Sequence, residues 1–387
     1  MKTVGIICEY NPLHNGHQKQ MRLVRQKFGQ DTAIVCMMSG NYVQRGEPAV
    51  MDKMTRAKAA VLCGADLVLE LPVTKALSSA EGFAAGGVAA LDALGCVDDL
   101  CFGCECGDDN RIMSTAKILL TEEYRQVLRE KLQGGNSFAA ARQAALEQLT
   151  GNAMPVTTPN DILAVEYCKA LLASGAAMRP LPLLRAGDYH AKTPDAENPS
   201  ATSLRKLRVQ DWSEYVPEAA RTVYCGAPTF ALRYGGRAVL ARLRTMTDDA
   251  FAALPFGNEG LWRKFARACR SGGSVEEIIA LTKSKRYARS RIARMVLCAY
   301  LGISEETMCK PIPYLRVLAM NRRGVEILHR CKKTSSLPLV NAGATPPDLE
   351  YFRLECRCAD LFALFSASDS PCECQNEKKA RIFYQKT

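Results

Sequence analysis

Long apolar runs are missing from this chain of 387 residues, and no stretch approaches the ~20 apolar residues that span a bilayer. A charged, cleavable leader is missing as well, because the chain opens on an apolar strand pattern. Hydrophobic residues make up 48% and charged residues 24% of the chain, which is ordinary for a globular protein and excludes a disordered one. We therefore expect a cytoplasmic protein with no membrane partner and more than one domain.

The sequence also lacks the motifs of several large enzyme classes. It contains no GxxxxGK(S/T) phosphate loop, no GxSxG nucleophile turn and no HExxH metal site. Cysteine is abundant, with 17 residues, but the paired CxxC spacing of a zinc ribbon is absent. Cys-x-Cys pairs occur at Cys104/Cys106, Cys356/Cys358 and Cys372/Cys374. We expect reduced thiols and no metal site.

Histidine is scarce, with four residues, yet His14 and His17 fall within one short motif. That motif is a turn between an apolar strand at residues 4–8 and a helical pattern at residues 20–28. A helix that begins directly after a strand presents free backbone N–H groups and its positive dipole end to an anion. Residues three apart share one face of the first turn, so both imidazoles can reach that anion. This arrangement favours nucleotidyl transfer over a connection with two incidental histidines.

Strand and helix patterns alternate over the first ~110 residues. Strands are predicted at 4–8, 33–38, 67–71 and 100–103, with helices from 16, after Asp52 and over 79–94. This alternation predicts an α/β fold with a parallel sheet between helices, whose ligands bind at the carboxyl ends of the strands. Residues 115–175 are predicted to be mainly helical, 181–184 a late strand, and the pattern from 213 onward helical. We divide the chain into an α/β domain (1–212) and a helical, basic domain (213–387).

Positive charge is concentrated in the second part of a chain whose net charge is +11. Between residues 261 and 300, ten basic residues face only Glu276 and Glu277. Such a single-sign face repels itself unless a polyanion neutralises it, although surface helices also carry Lys and Arg for solubility. Arginine outnumbers lysine there, which favours phosphate contacts. We predict an RNA-binding surface formed by Lys283, Lys285, Arg286, Arg289, Arg291 and Arg294.

Six sequence blocks, in order over roughly the first half of the chain, resemble one known family. They are residues 5–17, 38–48, 64–72, 159–163, 185–190 and 200–205. The His-x-Gly-His spacing resembles the signature of the HIGH nucleotidyltransferase superfamily, and the six blocks together resemble bacterial tRNA(Met) cytidine acetate ligase. A lone HxGH motif is weak, whereas six blocks in register are specific. Leu13 stands where we expect an aromatic residue, and Cys104 where we expect a small hydroxyl residue.

The resemblance implies a Rossmann-like HIGH core followed by a tRNA-binding domain. It implies that acetate attacks the α-phosphate of ATP, giving acetyl-adenylate, which acetylates the wobble cytidine of elongator tRNA(Met). His14 and His17 would be catalytic. ATP contacts are implied at Ile7, Cys8, Glu9, Tyr10, Asn11, Pro12, Leu13, His14, Asn15, Gly16, His17, Gln18, Lys19, Gln20, Gly103, Asn160 and Arg185. The sequence leaves the need for Mg²⁺ and the oligomeric state open.

The last of the six blocks resembles a second superfamily motif. It implies pyrophosphate contacts from Ser200, Thr202, Ser203 and Arg205. Separately, Gln44 and Arg45 follow the second predicted strand at the same sheet edge and are candidates for substrate or phosphate contacts. Without the resemblance, the motif is equally well an ordinary helix cap. Gly103, Asn160 and Arg185 would then be equally well a strand-end turn, a helix cap and a surface ion pair.

Two other functions are compatible with these patterns. An adenylyltransferase that makes a small nucleotide cofactor would use the same N-terminal motif, and an RNA-binding protein could carry a vestigial nucleotide site. The long basic second half argues against the first alternative, and the intact histidine pair argues against the second. We therefore expect the acetate ligase.

Overall fold

The computed structural model describes residues 1–134, 136–151, 158–185, 195–196, 198–368 and 377–386. Its strands are β1 (Thr3–Cys8), β2 (Ala33–Ser39), β3 (Tyr42–Val43), β4 (Glu47–Pro48), β5 (Leu67–Leu71), β6 (Asp99–Cys104), β7 (Arg179–Leu184), β8 (Leu315–Met320), β9 (Leu339–Asn341) and β10 (Phe383–Tyr384). Within the described residues, no helix combines the length and apolar character needed to cross a membrane.

Before residue 213, the described residues form helices α1 to α9. They are α1 (Asn15–Phe28), α2 (Lys53–Leu62), α3 (Val73–Ala76), α4 (Ala80–Asp92), α5 (Asp109–Leu119), α6 (Glu122–Gln133), α7 (Phe138–Thr150), α8 (Pro159–Ser174) and α9 (Ala201–Leu204). From residue 213 onward, the part of the chain that the structure describes forms α10 (Glu218–Tyr224), α11 (Gly236–Arg244), α12 (Asp248–Ala252), α13 (Leu261–Ser271), α14 (Val275–Thr282), α15 (Arg289–Leu301), α16 (Glu305–Cys309), α17 (Arg322–Thr334) and α18 (Leu349–Ala363).

A mostly parallel sheet forms the centre of the molecule, as predicted. Its strand order is β10-β8-β5-β2-β1-β6-β7, and β9 also pairs with β8. Every residue of β1, β2 and β5 is buried, as expected for parallel strands covered by helices on both faces. The side chain of Asp52 caps α2 by accepting the backbone N–H groups of Met54 and Thr55, which confirms the predicted start of that helix.

The second part of the chain is mainly helical, but it also adds strands β8, β9 and β10 to the central sheet, which its sequence pattern did not predict. β8 pairs antiparallel with β5, and β9 and β10 pair parallel with β8. All six residues of β8 are buried, because they cover the otherwise open edge of β5. The division at residue 212 stays a prediction, since both parts of the chain contribute strands to one sheet.

Several other helices of the second part pack around α15. Residues 292–301 of this helix are all buried, as expected for a helix that is enclosed by its neighbours. They lie in one apolar cluster with residues of α11, α13, α14 and α18. This helical layer meets the sheet domain at β4 and at the loop between β3 and β4.

A buried ion cluster connects helix α2 with strands and helices that are distant in sequence. The ammonium of Lys53 pairs with Glu70 at 2.7 Å and with Glu377. The guanidinium of Arg316 pairs with Glu355 at 2.8 Å. Side chains of this kind are rarely buried unless they are paired. The cluster therefore fastens the segment around Glu377 to the body of the protein.

Candidate active site

A cavity of about 570 Å³ lies at the carboxyl edge of the sheet, next to the first turns of α1 and α8. Its size is typical of small-molecule sites. One wall is apolar and includes Phe83, Phe102 and Tyr167. The lining also includes the polar residues His14, His17, Asn160 and Arg185. The chain therefore brings the histidine motif, the end of β6 and the end of β7 together, although they are more than 80 residues apart in sequence.

The two histidines stack at the start of α1. Their ring centroids are 3.6 Å apart and their planes meet at 22°. The backbone N–H of His14 donates to Nδ1 of His17 at 3.2 Å. Since Nδ1 of His17 is an acceptor in this bond, the proton of the neutral ring lies on Nε2. His17 can thus accept this capping hydrogen bond at the N-terminus of α1 and still offer its Nε2–H to a ligand.

Both imidazoles are neutral at pH 7. Burial, then the neighbouring His17 and Arg185, hold the pKa of His14 well below its ordinary value. Burial and then Arg185 lower the pKa of His17 to about 3. A neutral imidazole can still donate a hydrogen bond to an anion, and Arg185 lines the same cavity with its positive charge.

The loop before the histidines is held by partners that are distant in sequence. Oδ1 of Asn11 accepts the backbone N–H of Val50 at 2.7 Å, and its carbonyl accepts from Arg205 at 2.8 Å. Nδ2 of Asn11 and Nδ1 of His14 are buried and have no partner among the residues that the structure describes. A buried polar group without a partner is costly.

Comparisons with known proteins connect this geometry with a family. The HIGH nucleotidyl transferase family model matches residues 1–378. The tRNA(Met) cytidine acetate ligase of Thermoanaerobacter sp. is 37% identical over 357 residues, with 88% of each chain covered. That of Clostridium acetobutylicum is 33% identical over 393 residues, covering 96% of this chain and 97% of the relative. The chain belongs to the tRNA(Met) cytidine acetate ligase family.

Solved structures support the same assignment. The apo crystal structure of Thermotoga maritima TmcAL is 32% identical in sequence, with a TM-score of 0.91 and complete coverage of both chains. A second crystal structure of that protein, bound with alpha-thio ATP, is 31% identical with a TM-score of 0.90. The resemblance that six sequence blocks indicated is thereby confirmed at the level of the family and the fold.

Most of the ATP contacts that the family resemblance implied line the cavity. The lining residues among them are Ile7, Cys8, Glu9, Tyr10, Asn11, His14, Gly16, His17, Lys19, Gln20, Gly103, Asn160 and Arg185. Among the described lining residues, Pro12, Leu13, Asn15 and Gln18 are not found. The side chain of Leu13 is fully buried in the core, and Asn15 donates to the carbonyls of Ala196 and Glu214. Direct nucleotide contacts from the side chains of Leu13 and Asn15 are therefore not supported.

The second family motif divides into two pairs of residues. Ser200 caps α9 by accepting the N–H of Ser203 at 3.1 Å, and the hydroxyl of Ser203 donates to the Ser200 carbonyl at 2.8 Å. Both serines are buried, so their hydroxyl groups are used within the helix cap. Thr202 and Arg205 instead line a smaller cavity of about 100 Å³ together with both histidines and Arg185. Of the four residues, Thr202 and Arg205 are thus the two whose position is compatible with the predicted pyrophosphate contact, which stays a prediction.

An arginine that the sequence patterns did not single out holds the site together. Arg56 on α2 is fully buried and donates to the carbonyls of Glu9, Ser39 and Gly40. These carbonyls follow or end strands β1 and β2, so one guanidinium fixes both strand ends. The sequence carries no signal for this role, because an arginine in a helical pattern is usually placed on its exposed face.

The predicted RNA-binding residues do not form an uninterrupted positive face. Arg286 pairs with Glu259 at 2.9 Å, and Arg289 pairs with Glu276 at 2.7 Å. Arg291 donates twice to the carbonyl of Phe256, and Arg294 is buried and donates to the carbonyl of Gln44. The guanidinium of Arg294 joins α15 to the loop before β4, so a direct RNA contact from this side chain is not supported. Lys283, Lys285 and Arg286 remain exposed.

No group of three or more His, Cys, Asp or Glu residues is gathered as metal ligands within the described part of the chain. Cys104 and Cys358 are buried, and Cys106 and Cys356 are partly buried, all four as free thiols. The remaining Cys-x-Cys pair, Cys372/Cys374, and residues 186–190 of the fifth block lie outside the described residues.

Proposed function

We propose that this protein is an ATP-dependent ligase that activates acetate as acetyl-adenylate and acetylates the exocyclic amine of the wobble cytidine of elongator tRNA(Met). The reaction would take place in the cytoplasm. The observation that carries the proposal is the stacked, neutral histidine pair at the start of α1, inside a nucleotide-sized cavity. Membership of the acetate ligase family supports ATP, acetate and tRNA(Met) as the substrates of this site.

In the first step, an acetate oxygen attacks the α-phosphorus of ATP and the bond to the β-phosphate oxygen breaks. Negative charge grows on the phosphate oxygens as pyrophosphate leaves. Nε2–H of His17 would donate to these oxygens, and the positive dipole end of α1 would add to their stabilisation. Arg185 and Arg205, which line the smaller cavity with the histidines, would pair with the departing pyrophosphate.

The apolar wall of the cavity would hold the nucleoside. Phe102 and Tyr167 lie 5.5 Å apart between ring centroids and offer aromatic surface to a base. The side chain of Asn160 donates to Glu105, which leaves its amide oxygen to accept a hydrogen bond from the nucleoside. Glu9 and Glu47, which line the smaller cavity, are carboxylates that a Mg²⁺ accompanying ATP would meet there.

In the second step, the cytidine amine attacks the acetyl carbonyl carbon and AMP leaves with the bonding electron pair of the mixed anhydride. The amine gives up a proton as the amide forms. A cytosine amine is a poor nucleophile, and the prior activation of acetate compensates for this. The wobble base must also leave its stack to reach a cavity inside the protein.

The direct test is to incubate the protein with ATP, labelled acetate and total tRNA, and then to digest the RNA to nucleosides. Label is expected in a single acetylated cytidine, and only when ATP is present. A tRNA(Met) transcript with uridine at the wobble position is the matched control and should stay unlabelled. If the RNA stays unlabelled while ATP is joined to a small phosphorylated metabolite, the protein is instead a cofactor adenylyltransferase.

We predict that Gly103→Leu weakens ATP binding at least roughly tenfold without loss of stability. A Cβ added at Gly103 would meet no atom within 4 Å, so a leucine side chain there would start in open space and occupy volume that the nucleoside needs. Titration with ATP, together with thermal unfolding, measures both effects. Gly103→Ala is the matched control, with a smaller loss. Wild-type ATP affinity in the leucine variant would mean that the nucleoside lies elsewhere.

A further inference from the structure

A second, larger cavity adjoins the nucleotide site and is not explained by ATP or acetate. It is a groove of about 1500 Å³ between the loop that joins β3 to β4, the segment from Arg205 to α10, and the first turn of α15. Small-molecule sites are typically no larger than about 1,000 Å³. The groove is therefore suited to a macromolecular segment.

The charge of this groove is strongly positive. Seven basic side chains and two carboxylates line it among the residues that the structure describes. The basic residues come from several separate elements of the chain: Arg45, Arg205, Lys206, Arg208, Arg221, Arg233 and Arg289. No short window of the sequence contains them all, which is why the basic cluster at 261–300 was the stronger linear signal. A concave surface with this charge balance attracts a polyanion.

The groove leads directly to the histidines. Arg45 lines the groove, the nucleotide cavity and the smaller cavity, and Ser290 lines both the groove and the nucleotide cavity. Arg205 lines the groove and also donates to the carbonyl of Asn11. A chain lying in the groove can therefore place one of its groups beside the site of adenylation.

An exposed aromatic residue lies on the groove wall. Tyr234 is 45% exposed, and the guanidinium of Arg233 lies 4.6 Å from its ring centroid. Aromatic rings that are exposed beside arginines in a basic channel provide stacking surfaces for unpaired bases. The floor contains Tyr224, whose hydroxyl accepts the N–H of Leu13 at 3.1 Å, so the groove also contacts the histidine loop.

We propose that this groove binds the single-stranded anticodon loop of the RNA substrate, with Tyr234 stacking on a base that neighbours the acetylated cytidine. The inference rests on the proposed function and specifies where its RNA lies. Arg208 and Arg221 contact phosphates along the groove, while Arg45 and Arg205 mark the point where the target base passes to the adenylate.

Paired substitutions test the groove. Tyr234→Ala is expected to weaken tRNA binding roughly 10- to 100-fold, the scale of removing one base stack. Tyr384→Ala is the matched control, since Tyr384 is also 45% exposed but lies on β10, the edge strand of the sheet. Arg208→Gln with Arg221→Gln should lower the slope of log affinity against log salt by about 0.7–0.9 for each phosphate that the protein no longer neutralises.

The charge control is Arg125→Gln with Arg129→Gln. Like Arg208 and Arg221, these arginines are exposed and paired with a nearby carboxylate on their own segment, and we expect them to leave tRNA affinity unchanged. ATP affinity should be unchanged in every variant. If the groove variants bind tRNA like the wild type while Lys283→Gln, Lys285→Gln and Arg286→Gln together weaken it, the groove proposal is overturned and RNA lies on the exposed cluster. Absence of acetylated cytidine with the wild-type protein would overturn the proposed function itself.

Discussion

Replacing His17 with asparagine is expected to lower acetate-dependent adenylation at least ~100-fold while the fold stays intact. Oδ1 of asparagine can accept the backbone N–H of His14, as Nδ1 of His17 does at 3.2 Å. The substitution therefore keeps the capping hydrogen bond at the N-terminus of α1 and removes only the Nε2–H donor. Formation of acetylated cytidine in a single turnover gives the rate, and thermal unfolding gives the stability.

Three further variants test whether the loss of rate comes from the missing Nε2–H donor. The longer side chain of a His17→Gln variant extends an amide N–H towards the former Nε2 position and should recover part of the rate. His14→Ala should also lower the rate at least ~100-fold. His329→Asn changes an exposed histidine on α17 and should have no effect. Wild-type turnover by His17→Asn at equal soluble yield would exclude the donor role.

The structure of the first part of the chain could be predicted from the sequence, because the local sequence patterns there agree with the contacts that those residues make in the folded protein. The apolar run at residues 4–8 is buried in the parallel sheet, and Asp52 both fits the pattern of a helix cap and serves as one. Gly103 and His14 were expected at one sheet edge because carboxyl ends of parallel strands share that edge. The structure indeed places both residues around one cavity.

Pairing at long range could not be predicted in this way. The apolar pattern of residues 315–320 suits a strand, but nothing local says that it will cover β5 in the first part of the chain. Similarly, Arg56 gives no sign that its guanidinium will be buried against Glu9 and Gly40. Both depend on contacts between segments far apart in sequence, which periodicity does not encode.

Charge density along the sequence was also an incomplete guide to the RNA surface. The window from 261 to 300 excluded Glu259, which pairs with Arg286. It also gave no information on depth, so the buried Arg294 was counted with exposed residues. Conversely, the groove collects arginines from separate segments. A charged surface depends on how the chain folds, whereas a charged window depends only on the order of residues in the sequence.

Replacing Lys53 with methionine is expected to reduce the free energy of unfolding by about 3–5 kcal/mol. The ammonium of Lys53 is buried between Glu70 and Glu377. Its removal leaves two buried carboxyl groups without their closest counter-charge, while methionine keeps the volume of the side chain. Urea unfolding at neutral pH measures the loss.

The pH dependence of this loss has a definite sign. Burial already raises the pKa of Glu70 and Lys53 opposes that rise, so the Lys53→Met variant should hold a proton on Glu70 up to higher pH. A carboxyl group whose pKa is raised in the folded state contributes stability at low pH and loses it as the pH rises through that pKa. The deficit of the variant should therefore be larger at pH 8 than at pH 5.

Two partner variants separate charge from packing. The double variant Lys53→Met with Glu70→Gln should recover part of the lost stability, because one unpaired carboxylate is gone. Lys58→Met alters an exposed lysine of the same helix and should stay within ~0.5 kcal/mol of the wild type. If Lys53→Met is as stable as Lys58→Met across this pH range, Lys53 does not stabilise the cluster. Glu70, Glu355 and Glu377 would then be stabilised by Arg316 and by protonation instead.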